Sequence, residues 1–187
     1  METTNLLTNI AKILDKLKIP YVITGGMAVS VWGRIRFTAD IDIVVELLPK
    51  NVKVLVKELM KLDKDVYISE DAIMEALKYH SEFNFIDPNS QMKVDFWVVN
   101  DQFNKEKIKR GITKKIQNQK VVFISPEDLI VSKLLWHQES ESTRQLEDIE
   151  GVLSVSKVDL KYVKTWATKH GTIETLERLR AQIKAEK

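Results

Sequence analysis

The stretch TGGMAVSVWGRIRFTADIDIVV, residues 24–45, places a glycine pair after one short apolar run and two aspartates inside the next. Continuous short apolar runs are typical of buried strands, and the segment between the two runs has the composition of a helix. Because successive side chains on a strand alternate faces, Asp40 and Asp42 should point the same way while Ile41 and Ile43 point into the core. The stretch therefore predicts a strand–helix–strand unit with two carboxylates on one face.

The rest of the chain predicts an α+β fold in two parts. In residues 1–124, helical patterns at about 4–18, 50–62 and 70–79 alternate with apolar strand patterns, and the strands SEFNFID and MKVDFWVV form a predicted hairpin. From residue 125 only helical patterns follow, and the first begins with Ser125 as N-cap and Pro126 at its first position. We expect a mixed sheet flanked by helices in residues 1–124, with the helical part of residues 125–187 packed on that core.

Composition excludes several classes of protein. The chain has 187 residues and no cysteine, which excludes disulfides, thiolate catalysis and zinc–cysteine sites. Its formal net charge of +2 says little about partners. The N-terminal residues have the pattern of an amphipathic helix and not of a signal peptide, and no apolar run approaches the roughly 20 residues that cross a bilayer. We therefore expect a cytoplasmic protein with no membrane partner.

The glycines and aspartates of the first stretch suit the two ends of a metal–nucleotide complex. Backbone N–H groups of a glycine pair at a helix N-terminus can approach an anion closely, and paired carboxylates with substrate phosphates are the usual ligands of Mg²⁺. The chain contains neither G-x-x-x-x-G-K-[ST] nor G-x-G-x-x-G, the other common phosphate motifs. Taken alone, a glycine pair more often forms a turn, and aspartates often mark strand ends.

Gly25-Gly26, a spacer of thirteen residues, Asp40 and Asp42, with Asp95 in KVDFWVV, together resemble the signature of the polymerase-beta-type nucleotidyltransferase superfamily. The resemblance implies a nucleotidyltransferase core in which the three aspartates are catalytic and hold two Mg²⁺ ions, for which Mn²⁺ is expected to substitute. It also implies that the glycine pair binds the triphosphate of an NTP.

The sequence is also similar, over roughly residues 20–153, to small prokaryotic nucleotidyltransferases related to the abortive-infection (type IV toxin–antitoxin) toxins. That resemblance adds Lys133 as a catalytic and phosphate-binding residue and Asp148 as the acid that orients it or a basic neighbour. Thr24 and Arg36 are further candidate nucleotide contacts. Without the resemblance, Lys133 could extend from a half-buried helix face, and Asp148 could form a surface pair with Arg144, four residues away.

The predicted function is Mg-dependent transfer of a nucleoside monophosphate from an NTP to a hydroxyl acceptor, which could be an RNA or tRNA end, a protein or a small molecule. The resemblance implies a toxin or phage-defence role, with an antitoxin or another protein as partner. Residues 105–120 contain seven Lys or Arg and one acid, a tract that could guide RNA or form a solvated face. The alternative is a catalytically inactive module of the same fold that binds nucleotide, RNA or a protein.

Overall fold

The chain divides into two compact units in a computed structural model that describes residues 2–99 and 101–185. The first unit comprises Met1–Met27 and Phe37–Ile124, and the second comprises Ala28–Arg36 and Ser125–Lys187. Residues 28–36 therefore group with the C-terminal helices, although they precede the strand that carries the first two aspartates. Packing of the helical part on the core stays a prediction.

The first unit is built on a six-stranded mixed sheet with the order β3-β4-β2-β1-β6-β5. Strand β1 pairs antiparallel with β2 and parallel with β6, and β2 pairs parallel with β4. The pairs β3–β4 and β5–β6 are antiparallel hairpins. The strands are β1 (Tyr21–Ile23), β2 (Asp40–Val45), β3 (Glu82–Asp87), β4 (Met92–Val98), β5 (Ile112–Ile116) and β6 (Gln119–Phe123).

Helices flank this sheet and continue into the second unit. Helix α1 packs on β6, α4 on β3, and α5 on β1 and β2, while α6, α7, α8 and α9 pack on one another. The helices are α1 (Glu2–Lys16), α2 (Gly25–Trp32), α3 (Val52–Leu59), α4 (Glu70–Tyr79), α5 (Gln102–Lys109), α6 (Pro126–Ser140), α7 (Thr143–Val155), α8 (Leu160–Lys169) and α9 (Ile173–Ala185). A 3₁₀ turn, Pro49–Asn51, precedes α3. The predicted α+β class is confirmed; the predicted end of the last helix, residues 186 and 187, lies outside the described residues.

One face of the sheet carries the core of the first unit. The side chains of Ile41, Ile43, Val94 and Phe96 are completely buried on that face. On the same face the rings of Phe83 and Phe96 stack with centroids 4.8 Å apart. The opposite face of β2 and β4 is where the alternating polar side chains must lie.

Candidate functional site

Pairing of β2 with β4 brings the three predicted aspartates onto one face of the sheet. The register sets Asp42 beside Asp95 and Asp40 beside Lys93. Neighbouring residues in register lie about 4.8 Å apart between strands and point to the same face. Two acids from one strand and one from a strand fifty residues later thus become neighbours.

The three carboxylates differ in burial and in their partners. Asp42 and Asp95 are buried, whereas Asp40 is partly exposed and its Oδ1 accepts a hydrogen bond of 2.7 Å from the Thr38 hydroxyl. The Asp95 Oδ2 lies 2.8 Å from Lys93 Nζ, and the pKa of Lys93 is raised chiefly by this hydrogen bond. The other Asp95 oxygen, Oδ1, is buried and has no hydrogen-bond partner among the described residues.

The glycine pair lies where side chains of the site leave no room for a Cβ. Helix α2 begins at Gly25, whose φ of +57° is in the left-handed region that favours glycine. A Cβ at Gly25 would overlap the Asp42 carboxylate, and one at Gly26 would overlap the Thr38 hydroxyl. The backbone N–H of Thr24 donates to the Asp42 carbonyl oxygen at 2.9 Å. The helix N-terminus and the Asp42 carboxylate therefore meet closely, an arrangement that the helix dipole favours.

The donor atoms of this face fit a hard divalent cation. Carboxylate oxygens are the ligands that Mg²⁺ takes, and the unpartnered Asp95 Oδ1 is a buried acceptor that a cation would satisfy. Within residues 2–99 and 101–185, however, no three acidic or histidine side chains are grouped closely enough to hold a metal as they stand. Thr38 and Lys93 occupy the carboxylates of Asp40 and Asp95 instead. Lys93 contacts only Oδ2 of Asp95, so Oδ1 is the Asp95 oxygen that a cation would take.

The remaining predicted residues meet in the second unit. Asp148 accepts hydrogen bonds from two guanidinium nitrogens of Arg36 at 2.7 and 3.0 Å, and its Oδ2 lies 2.8 Å from Lys133 Nζ. Lys133 also donates to Gln145 at 2.8 Å, and its ammonium lies 5.1 Å from the centre of the Trp136 ring. Asp148 is only 4% exposed, which excludes the alternative of a surface pair. The cluster holds two cations around one buried carboxylate.

Comparison with known proteins assigns the chain to a family. Residues 1–185 match the family model of DUF6036, described as a nucleotidyltransferase of unknown function. The chain belongs to this nucleotidyltransferase family. The resemblance to the nucleotidyltransferase superfamily is thereby confirmed, and the protein is an enzyme of that class.

Solved structures share the fold of this nucleotidyltransferase at low sequence identity. An antigenic nucleotidyltransferase-like protein from Paracoccidioides brasiliensis is 20% identical, with a TM-score of 0.57 over 98% of this chain and 93% of its own. The antibiotic-resistance factor ANT(2'')-Ia is 16% identical, with a TM-score of 0.61 over 97% and 100%. The lincosamide antibiotic adenylyltransferase LnuA is 15% identical, with a TM-score of 0.54 over 83% and 96%. No curated protein matches the sequence.

The sequence of this nucleotidyltransferase did not lead us to three residues that contact the predicted site. Lys93 precedes Asp95 by two residues on the same strand face, and Thr38 precedes Asp40 by two, so strand alternation could have flagged Lys93. Gln145 precedes Asp148 by three residues on α7, a spacing that places both on one helix face.

In the described part of the chain, no helix is both apolar and long enough to traverse a bilayer.

Proposed function

We propose that this nucleotidyltransferase transfers a nucleoside monophosphate from a Mg-NTP to a hydroxyl acceptor, with Asp40, Asp42 and Asp95 as its catalytic acids. The observation that carries the proposal is the register of β2 and β4, which sets Asp42 beside Asp95 on the face that Asp40 shares. Three acids on one face are costly unless cations share them, and the buried Asp95 Oδ1, which has no hydrogen-bond partner among the described residues, is an acceptor that a cation would satisfy.

The chemistry that these residues perform is in-line displacement at the α-phosphorus. The acceptor hydroxyl oxygen forms a bond to the α-phosphorus, the bond from the α-phosphorus to its bridging oxygen breaks, and pyrophosphate leaves. The Asp95 carboxylate is assigned as acceptor of the proton of the acceptor hydroxyl, because its Oδ1 has no hydrogen-bond partner among the described residues. Mg²⁺ held by Asp40, Asp42 and Asp95 would supply charge neutralisation at the phosphates and lower the pKa of the hydroxyl.

The phosphate side of the site is assigned to the N-terminus of α2. Its first two residues, Gly25 and Gly26, have no side chain that would keep an anion away from their backbone N–H groups, and the helix dipole favours negative charge there. Thr24 precedes this helix directly. Lys133 and Arg36 remain predicted phosphate contacts, and Asp148 holds both cations in place within the second unit.

The broader expectations stay predictions. A toxin or phage-defence role, an antitoxin partner and a cytoplasmic location rest on the resemblance and on sequence patterns alone. The alternative function, an inactive module that binds a nucleotide, RNA or a protein, differs from the proposal in one result: it binds Mg-NTP or its partner but yields no product.

Nucleotide binding is tested by thermal unfolding with each NTP, with and without Mg²⁺. A ligand at 100 times its Kd stabilises the folded state by about 2.7 kcal/mol, so at least one NTP should raise the Tm only when Mg²⁺ is present. The Asp40→Asn/Asp42→Asn variant should lose this shift. Its matched control is Asp63→Asn/Asp65→Asn, which removes two acids of the same spacing from a turn outside the site and should keep the full shift.

Transfer is tested with NTP labelled at the α-phosphate. Wild type should move label to an acceptor, and Asp95→Asn should reduce the rate by about 10²–10³-fold or more, as loss of a charge-stabilising group at a transition state does. Mg-dependent NTP binding without labelled product would favour the inactive module. Absence of any NTP-dependent shift in wild type would overturn the nucleotide site itself.

A further inference from the structure

The sheet face that carries Asp95 continues, open to solvent, onto β4 and β3. Asn84 lies opposite Asp95 in the register of the hairpin and is exposed. Trp97 follows Asp95 by two residues, which puts its side chain on the same face with its Cα about 7 Å away. The Trp97 side chain is 42% exposed although it is a large apolar group. Among the described residues, neither the Asn84 amide nor the Trp97 ring has a hydrogen-bond or ring partner.

The direction of the reaction identifies this open face with one of the two substrates. In the sheet order, β1 and the glycine pair that follows it lie on one side of β2, and β4 and β3 lie on the other. If the triphosphate lies at the glycine pair, pyrophosphate leaves towards β1. In-line attack then requires the acceptor hydroxyl to arrive from the side of β4 and β3. Asn84 and Trp97 occupy that side.

We propose that Trp97 and Asn84 form the acceptor subsite, in which the indole stacks on a ring of the acceptor and the amide hydrogen-bonds one of its hydroxyl or amine groups. This assignment rests on the proposed function, since it takes the position of the triphosphate from it. An exposed tryptophan ring with a neutral donor and acceptor beside it suits a hydroxylated ring compound, because the ring covers the apolar face and the amide satisfies a polar edge.

Charge selects a small, uncharged or cationic acceptor over an RNA end. On this face the charged neighbours of Trp97 and Asn84 are Glu82, opposite Trp97, and Asp95, with Lys93 already paired to Asp95. A ribose hydroxyl of RNA brings phosphodiesters with it, which these acids repel. The basic strand β5 lies at the opposite edge of the sheet, four strands from β4 and therefore about 19 Å away. Lys114 and Lys115 of β5 therefore do not line this subsite.

The test uses the full chain, NTP labelled at the α-phosphate and two pools of acceptors. The first pool contains hydroxylated ring compounds, namely glucose (neutral), glucosamine (singly cationic) and tobramycin (polycationic). The second pool is total tRNA. Label should enter at least one of the ring compounds. Trp97→Ala should raise the KM for that compound at least about tenfold and leave the KM for NTP unchanged. Trp97→Phe, which keeps a ring, should restore most of the affinity. Tyr79→Ala, which removes an exposed aromatic ring from the end of α4, is the control and should change neither KM.

The outcomes that overturn the assignment are separate from those that overturn the nucleotide site. Label in tRNA with none in the ring compounds excludes the acceptor class, and a Trp97→Ala effect on the KM for NTP alone excludes the acceptor role. If no ring compound is labelled and none shifts the Trp97 indole signal in NMR spectra at millimolar concentration, the subsite is wrong. In each case a retained Mg-NTP thermal shift leaves the nucleotide site standing, and labelled tRNA also leaves the transfer reaction standing. Absence of that shift in wild type removes both the nucleotide site and the subsite.

Discussion

At the scale of single residues, Gly25 is the position where the backbone and the catalytic face constrain each other most tightly. Gly25→Ala adds left-handed backbone strain and a Cβ that overlaps the Asp42 carboxylate. Strain of about 1–2 kcal/mol and overpacking of about 1–3 kcal/mol should together lower the free energy of unfolding by about 2–5 kcal/mol. Since Asp42 must move, we also expect loss of the Mg-NTP thermal shift, measured on the same samples.

Gly171 provides a matched control for that substitution. Its φ of +73° is also left-handed, but the nearest atom to an added Cβ is 3.9 Å away. Gly171→Ala should therefore cost only the backbone strain of about 1–2 kcal/mol and keep the nucleotide response. Equal losses of stability in the two variants, with the Mg-NTP thermal shift intact in both, would show that a Cβ at position 25 does not displace the Asp42 carboxylate.

Asp148 is the second residue whose removal has a predictable cost. Asp148→Ala removes the carboxylate that lies 2.8 Å from the ammonium of Lys133, whose side chain is only 4% exposed, and that pairs with Arg36 at 2.7 Å. Breaking a buried pair from one side typically costs about 3–5 kcal/mol, and urea unfolding should show a loss of that size. Glu150 lies on the same helix as Asp148 and forms an exposed ion pair with Arg34. Glu150→Ala should therefore lower the free energy of unfolding by at most about 1 kcal/mol. Similar losses for both would mean that the buried cluster contributes no more than a surface pair.

The resemblance to the nucleotidyltransferase signature predicted the three acids, because the glycine-to-aspartate spacer and the apolar neighbours of Asp95 that carry it are local features of the sequence. The partners of these acids were not predicted. Thr38 lies just before β2 and contacts Asp40 two residues along the chain, and Lys93 pairs with Asp95 because both side chains point to the polar face. Which carboxylate is buried and which is partly exposed depends on neighbouring strands, and sequence spacing carries no information on that.

At the scale of secondary-structure elements, the start of α6 is fixed by a capping interaction that is also buried. The Ser125 hydroxyl accepts from the Asp128 backbone N–H at 3.1 Å and donates to its carboxylate at 2.8 Å, and Asp128 is fully buried. Ser125→Ala loses a cap worth about 1 kcal/mol and removes a donor from a buried acceptor, at about 1–3 kcal/mol more. We expect chemical denaturation to show a loss of about 2–4 kcal/mol.

The comparison helix for this prediction is α4, which has the same kind of cap at the surface. Ser69 accepts from the Ala72 backbone N–H at 3.2 Å, and its hydrogen bond is exposed. Ser69→Ala should cost about 1 kcal/mol, since water replaces the lost partner. A loss at Ser125 no larger than the loss at Ser69 would indicate that Asp128 obtains sufficient donors elsewhere, for example from the Tyr162 hydroxyl at 2.6 Å.

Elements with a clear apolar period were predicted from the sequence, and polar ones were not. Helix α4 has the predicted bounds, and β3 and β4 form the predicted hairpin. The tract of residues 105–120 appeared only as a basic segment, yet it contains most of α5 and the whole of β5. Helix α5 buries only Phe103 and Lys107, and β5 has no buried residue, so neither shows a core-facing period. Pairing of β2 with β4 is a non-local choice that no local pattern specifies.

At the scale of the whole molecule, the two edges of the sheet are protected in different ways. The edge strand β3 is bridged at Ile86 by two backbone hydrogen bonds of 3.0 Å with Tyr67. The other edge strand, β5, pairs with β6 on one side and carries Lys114 and Lys115 in its centre. Charged lysines on an edge strand oppose pairing with another chain. With a formal net charge of only +2, electrostatic repulsion between whole molecules adds little to the effect of the edge lysines.

Removing the edge lysines should therefore cause molecules of the protein to associate through β5. Lys114→Val/Lys115→Val changes β5 from ITKKI to ITVVI, an uncharged segment of high β-propensity, and lowers the formal net charge from +2 to zero. Light scattering during incubation should rise well above that of wild type. Lys12→Gln/Lys157→Gln also brings the net charge to zero but alters two exposed helix and loop positions, so it should scatter like wild type. If both double variants associate at the same rate, net charge and not the edge strand keeps the molecules apart; if neither does, β5 needs no charge to remain unpaired.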